Sequence, residues 1–225
     1  MMPGKYSKLK NRILFYRGLS NLISVMLHPL IMPTILFILI SYFLPIAINP
    51  VNDEGKRYLI GLVFITTFVF PIFITLTFLL IIKKEFSFAD LFMEKNNERF
   101  LPFISTGMLY IGITWVMYDT LRLNSVLILV MSGITCTVLL VSLITYFWKI
   151  SAHAAGISGV LGFLIHFSVR YPENNLIIPI CVMIFLSGLL FSARLNLRTH
   201  TNAQVYFGGL LGFSVSFLIM YVSFN

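Results

Sequence analysis

Runs of about twenty mainly apolar residues, the length that crosses a ~30 Å hydrocarbon layer as a helix, recur seven times, at 27–48, 59–82, 101–121, 126–148, 154–169, 176–193 and 205–224. In lipid the backbone must satisfy its own hydrogen bonds, and a run of this length does so as an α-helix. The expected fold is therefore all-α, a polytopic membrane bundle of six to seven transmembrane helices. The spread in that number comes from the first run, interrupted by Pro29, Pro33 and Pro45, and from the third, which is short. Composition excludes the soluble alternative. Only 11% of the 225 residues are charged, against roughly 25% in an ordinary soluble domain, and a chain this short cannot hide so much apolar surface from water.

The connections between runs are short and hold most of the charge. Residues 1–26 read as a basic N-terminal interfacial segment, with Lys5, Lys8, Lys10, Arg12 and Arg17, suited to the surface of an anionic membrane. Residues 27–225 read as a single transmembrane domain. No small-residue cleavage site follows the first apolar run, which is taken as a retained helix. Gly156, Gly159 and Gly162 mark the fifth run as one whose backbone is approached closely, hence a helix buried among its neighbours. Cys136 and Cys181 both lie in apolar runs and are read as packing residues.

With seven spans, twelve of the sixteen lysines and arginines fall on one side of the bilayer and four, Lys56, Arg57, Arg122 and Arg170, on the other. Basic loops stay cytoplasmic, so the N-terminus is expected in the cytoplasm. Short loops and no targeting segment suit a bacterial cytoplasmic (inner) membrane. No acidic residue sits mid-span to relay protons or sodium, which disfavours a small-ion transporter.

Polar and charged residues gather in three places: Lys95 to Pro102, Lys149-Ile-Ser151-Ala-His153, and Arg194 to Gln204, which includes Arg198 and His200. Two spans separate each cluster from the next. An even number of crossings returns the chain to the same face, so the three are expected to converge. Fixed cations with two histidines suit a phosphate group. Arginine grips its oxygens through a planar fork and lysine as a point charge, while one imidazole can attack phosphorus and another can protonate the leaving oxygen. Backbone N–H groups near Ser151 and His153, at a helix start, add anion-binding capacity.

These residues resemble the signatures of the type 2 phosphatidic acid phosphatase superfamily. Arg194, five residues, His200, three residues and Gln204 reproduce the spacing of its Ser-Arg, His and Asp motif. Ile150-Ser151-Ala152-His153 is similar to its Pro-Ser-Gly-His, and Lys95, Arg99 and Pro102 are loosely similar to its Lys and Arg-Pro motif at altered spacing. The resemblance covers the chain from about residue 95, with a motif-bearing core over about 95–212. It implies a core like that family's, with His200 as a nucleophile forming a phosphohistidine, His153 as general acid, and Gln204 in the place of the carboxylate that orients the nucleophile. Arg194, Lys95, Arg99 and Ser151 would hold phosphate, with Lys149 beside them. It implies no cofactor and no metal ligand. The partners would be membrane lipids and an amphipathic lipid-phosphate substrate, not nucleic acid. The expected activity is a metal-independent phosphatase or phosphotransferase on phosphatidic acid or an isoprenyl phosphate. The alternative is a non-catalytic lipid-phosphate binder or transporter that retains the fold. The motif's Asp is Gln204 here, its Ser is Ala193, its Gly is Ala152 and its Pro is Ile150. Two spans also separate the first two clusters, where the family carries both on one loop, and the inferred cytoplasmic site differs from the family's usual outward-facing one.

Overall fold

The computed structural model describes residues 3–45, 48, 51–82 and 96–224. Among these the fold is all-α: α1 (Pro3–Met26), α2 (Met32–Phe43), α3 (Asp53–Phe64), α4 (Phe70–Ile82), α5 (Asn96–Trp115), α6 (Ser125–Phe147), α7 (Ala152–Arg170), α8 (Ile177–Asn196) and α9 (Asn202–Phe224). A π-turn over Ile65–Val69 joins α3 to α4, and a second, Val116–Thr120, extends α5. Among the described residues, seven segments are long and apolar enough to cross a bilayer. The outward surface fits that setting, since Phe73, Ile81, Phe147, Val169, Phe185 and Val222 are all more than half exposed and would face lipid.

Six of the seven segments fall close to the runs read from the sequence. The first differs: its apolar stretch runs over Leu14–Phe43 and contains a break. A 3-10 turn at Pro29–Ile31 separates α1 from α2, because Pro29 and Pro33 have no N–H for a continuous helix to use. His28 caps that turn, its Nδ1 accepting from the Leu30 N–H at 3.3 Å.

α7 is the centre of the bundle. Two thirds of its span is buried (67%), against 44% or less for each of the others. Its glycines explain why. A Cβ on Gly162 would lie 2.5 Å from the Phe213 carbonyl oxygen of α9, and one on Gly159 would lie 3.2 Å from Ser216 Oγ. Gly212 of α9 answers from the other side, resting on the Ala155 carbonyl of α7. Where lipid competes on equal terms with apolar side chains, such backbone-to-backbone approach is what holds helices together.

Several hydroxyls inside the bundle are satisfied locally. Thr67, Thr106, Thr135, Thr137 and Ser187 each donate to the carbonyl four residues earlier, at 2.7–2.8 Å. The first π-turn, an inserted residue that displaces the helical ladder, leaves the Thr67 carbonyl facing α5. Buried Tyr110 donates its O–H to that oxygen at 2.8 Å.

Candidate functional site

One end of the bundle carries the starts of α2, α5, α7 and α9 and the ends of α6 and α8. The third polar cluster forms the α8–α9 turn. α8 closes through the Leu197 N–H on the Ala193 carbonyl and the Arg198 N–H on the Leu195 carbonyl, both at 3.0 Å. Arg198 takes a left-handed conformation, φ 55°, a costly one for a residue with a Cβ. The turn it makes brings His200 back against the end of α8, and His200 is buried, as is Arg194.

α9 begins with a reciprocal cap. Thr201 Oγ1 accepts from the Gln204 N–H at 3.4 Å, and Gln204 Oε1 accepts from the Thr201 N–H at 3.1 Å, the capping-box pattern of Thr followed three residues later by Gln. The same Oε1 lies 3.2 Å from His200 Nδ1. A backbone N–H can only donate, so the atom facing Thr201 is the amide oxygen. An amide oxygen can only accept, so His200 Nδ1 must carry the hydrogen. The ring's lone pair is therefore on Nε2, the arrangement a nucleophilic imidazole requires.

The second cluster packs directly on this turn. The Ser151 N–H donates to the Gln204 carbonyl at 3.1 Å. Gly208, one turn further along α9, admits the Ser151 carbonyl, since a Cβ there would lie 2.6 Å from that oxygen. Trp148 meets Phe207 edge to face, ring centroids 5.8 Å apart. Ser151 is fully buried and caps α7, its Oγ accepting from the Ala154 N–H at 3.4 Å. Lys149 is half-buried in the same turn.

His153, two residues on, has its Nε2 3.1 Å from the Ser24 carbonyl. Ser24 is in the last turn of α1, where a helix leaves carbonyls without an internal partner. A carbonyl accepts only, so Nε2 carries the hydrogen and Nδ1 the lone pair in the neutral ring. The His28 ring stands edge to face against His153, centroids 5.4 Å apart. The charge of Arg194 bears on both of these imidazoles. α1 is tied to the same end by Asn196, whose Nδ2 donates to Ser20 Oγ at 2.9 Å and the Tyr16 carbonyl at 3.3 Å.

Ser151, His153, Arg194, His200 and Gln204 thus share one end of the fold, with Lys149 in the adjoining turn. Arg99 lies in the first turn of α5, whose Phe100 meets Tyr146 of α6 at 5.4 Å between ring centroids, so its backbone is at that end as well. Lys95 lies outside the described residues. Two participants were not singled out from sequence. His28 stands at the proline break before α2, and its ring meets that of His153. Ser24 belonged to no motif. The Thr201–Gln204 cap was legible as a Thr-x-x-Gln pattern, hidden by reading Gln204 only as a replaced carboxylate.

The arrangement offers a nucleophilic nitrogen on His200, a second imidazole on His153, and cationic charge from Arg194 and Lys149. Among the described acidic residues Asp53, Glu54, Asp119 and Glu173 are at the opposite end of the helices, and Glu98, next to Arg99 in the first turn of α5, is at this one. Arg194, Lys149 and the imidazoles suit an anion, and the starts of α7 and α9 add the positive ends of two helix dipoles. Comparison with known proteins finds no matching family model, no similar curated protein and no similar solved structure.

Proposed function

We propose that the chain is a membrane-embedded phosphatase or phosphotransferase acting on a lipid phosphate, of the phosphatidic acid or isoprenyl phosphate type, through a phosphohistidine on His200. One observation carries the reading. Gln204 holds His200 with its lone pair on Nε2, at the same end of the bundle as buried Arg194 and the His153 ring. Nε2 attacks phosphorus, the bond from phosphorus to the lipid oxygen breaks, and that oxygen leaves with a proton. With the phosphate anion bound, His153 carries a second proton on Nδ1 and gives it to that oxygen, while its Nε2–H stays on the Ser24 carbonyl. Water or another alcohol then attacks the phosphohistidine, passes its proton to the freed His153 Nδ1 and releases His200. Arg194 and Lys149 offset the charge that develops on the phosphoryl oxygens. The resemblance to the type 2 phosphatidic acid phosphatases supports the same roles, with Lys95 and Arg99 as further phosphate ligands. The twelve-to-four distribution of basic residues supports a site facing the cytoplasm of a bacterial inner membrane.

The test is phosphate release from a panel of lipid phosphates by the purified protein in detergent with EDTA present, beside His200→Ala. Release that survives EDTA and vanishes in the variant is the expected result. Undiminished release by His200→Ala would remove the nucleophile assignment.

A second reading is a lipid-phosphate binder or transporter. It is favoured by Gln204, a neutral amide already engaged by the α9 cap, which cannot stabilise an imidazolium by charge. Saturable binding of a lipid phosphate with no release of phosphate would favour it.

A further inference from the structure

A cavity of about 90 Å³ lies between the Pro29–Ile31 turn, α2, α5, α6 and α7. One water-sized group needs about 10–15 Å³ by this measure, so the space holds a short file of such groups. Its upper lining is Pro29, Phe103, Val141 and Ala152, and its lower lining Leu36, Tyr110, Ile134 and Phe163. Each pair from one segment, Pro29 with Leu36, Phe103 with Tyr110, Val141 with Ile134 and Ala152 with Phe163, steps away from the candidate site. At a rise of 1.5 Å per helical residue these steps amount to roughly 10–16 Å. That is about half the ~30 Å hydrocarbon thickness, the depth of one leaflet.

Most of the wall is apolar, and three of its four hydroxyls are turned away from it. Thr106 and Thr137 turn their hydroxyls onto their own helix backbones, and Tyr110 gives its O–H to Thr67, with Ser216 of α9 the fourth. Water gains little there, and hydrocarbon is the fitting occupant. The upper end meets the candidate site through the chain itself. Pro29 follows His28 and Ala152 precedes His153, and those two imidazoles are in contact.

We infer that this cavity receives one hydrocarbon chain of the lipid whose phosphate occupies the site, so that the ligand is a single-chain lipid phosphate drawn into the bundle from its own leaflet. The inference rests on the lipid-phosphate reading for the headgroup only. The cations of the candidate site take the anion, and the one-leaflet space beside it takes the chain. A volume of about 90 Å³ spread over that depth leaves room for one chain, and a two-chain lipid would leave its second chain outside the bundle.

The experiment uses a single-chain alkyl phosphate with a diazirine at the far end of the chain, photolysed with the whole protein in nanodiscs. Adducts are mapped by mass spectrometry, and phosphate release is followed in the same samples. The expected adducts are on Leu36, Tyr110, Ile134 or Phe163. Adducts on the lipid-facing Val182 and Phe185 at equal or greater yield would overturn the inference. Val138→Phe, which fills the wall, is expected to cut floor labelling about tenfold, the loss that about two chain carbons withheld from apolar contact would cause. The wild-type pattern decides the matter by itself if that variant does not fold. Floor labelling without phosphate release leaves the chain site standing and sinks the catalytic reading, and release without floor labelling does the reverse.

Discussion

Gln204 Oε1 accepts two hydrogen bonds, from the Thr201 N–H at 3.1 Å and from His200 Nδ1 at 3.2 Å, and so joins the cap of α9 to the protonation pattern of the candidate nucleophile. The helix start and the imidazole are set by one atom. A side chain at 204 that lost this oxygen would loosen both.

Gln204→Glu keeps the length and the capping pattern and adds the charge an imidazolium prefers. Lipid-phosphate release is expected to rise by at least about tenfold, a modest share of the roughly 10⁴ that a comparable carboxylate contributes in serine protease triads. Gln204→Leu is expected to lower release, and to lower stability by about 0.5–2 kcal/mol through the lost cap. Equal rates for Gln, Glu and Leu would show that His200 does not depend on this partner.

His153→Ala should depend on the leaving group. A poor leaving group such as a lipid alcohol needs a proton, so release from it should fall by about 10²–10⁴. Release from an aryl phosphate, whose phenolate departs unaided, should fall far less. Equal losses on the two substrates would assign His153 a packing role through Ser24 and His28 instead.

Arg194→Ala is expected to weaken binding of a lipid phosphate by about 10- to 150-fold, the value of one hydrogen bond between charged groups at roughly 1.5–3 kcal/mol. Arg194→Lys should recover part of that loss, because it restores charge without the planar fork. Isothermal titration with a non-hydrolysable phosphonate lipid reads the affinity, and a thermal melt of each variant checks the fold. Unchanged affinity in Arg194→Ala would remove it from the phosphate site.

Gly208→Ala drives a methyl group toward the Ser151 carbonyl, 2.6 Å from the position of its Cβ. The expected cost is about 1–3 kcal/mol, as for other insertions into tight packing, with a matching loss of release because the Ser151–His153 turn moves off α9. Gly188→Ala, with nothing within 4 Å, should instead gain up to about 1 kcal/mol from helix propensity. Thermal unfolding in one detergent compares the pair. A neutral Gly208→Ala would mean that the contact between α7 and α9 is loose at the site.

Tyr110→Phe removes the O–H that bonds the Thr67 carbonyl at 2.8 Å. A loss of about 0.5–1.5 kcal/mol is expected, visible as a lower melting temperature. No change would imply that the π-turn carbonyl is satisfied without α5.

The placement of six of the seven spans was legible in the sequence because hydropathy acts locally, whereas the count stood at six to seven and the first span begins earlier than its run, at Leu14. Twenty apolar residues in lipid have to be a helix, wherever the rest of the chain goes. Span parity likewise carried Ser151, His153, Arg194 and His200 to one end before any contact was known, and Gly156, Gly159 and Gly162 marked the helix that would be central. What only the tertiary structure decided is how each helix is turned about its own axis. Lipid is as apolar as the bundle interior, so the hydrophobic pattern barely distinguishes an inward from an outward face. Rotation therefore follows from close contacts, Gly162 on Phe213 and Gly208 on Ser151, which no single segment reveals. From those contacts come the meeting of His28 with His153, the pairing of His153 with the Ser24 carbonyl just before the break between α1 and α2, and the cavity lined by five segments of the chain.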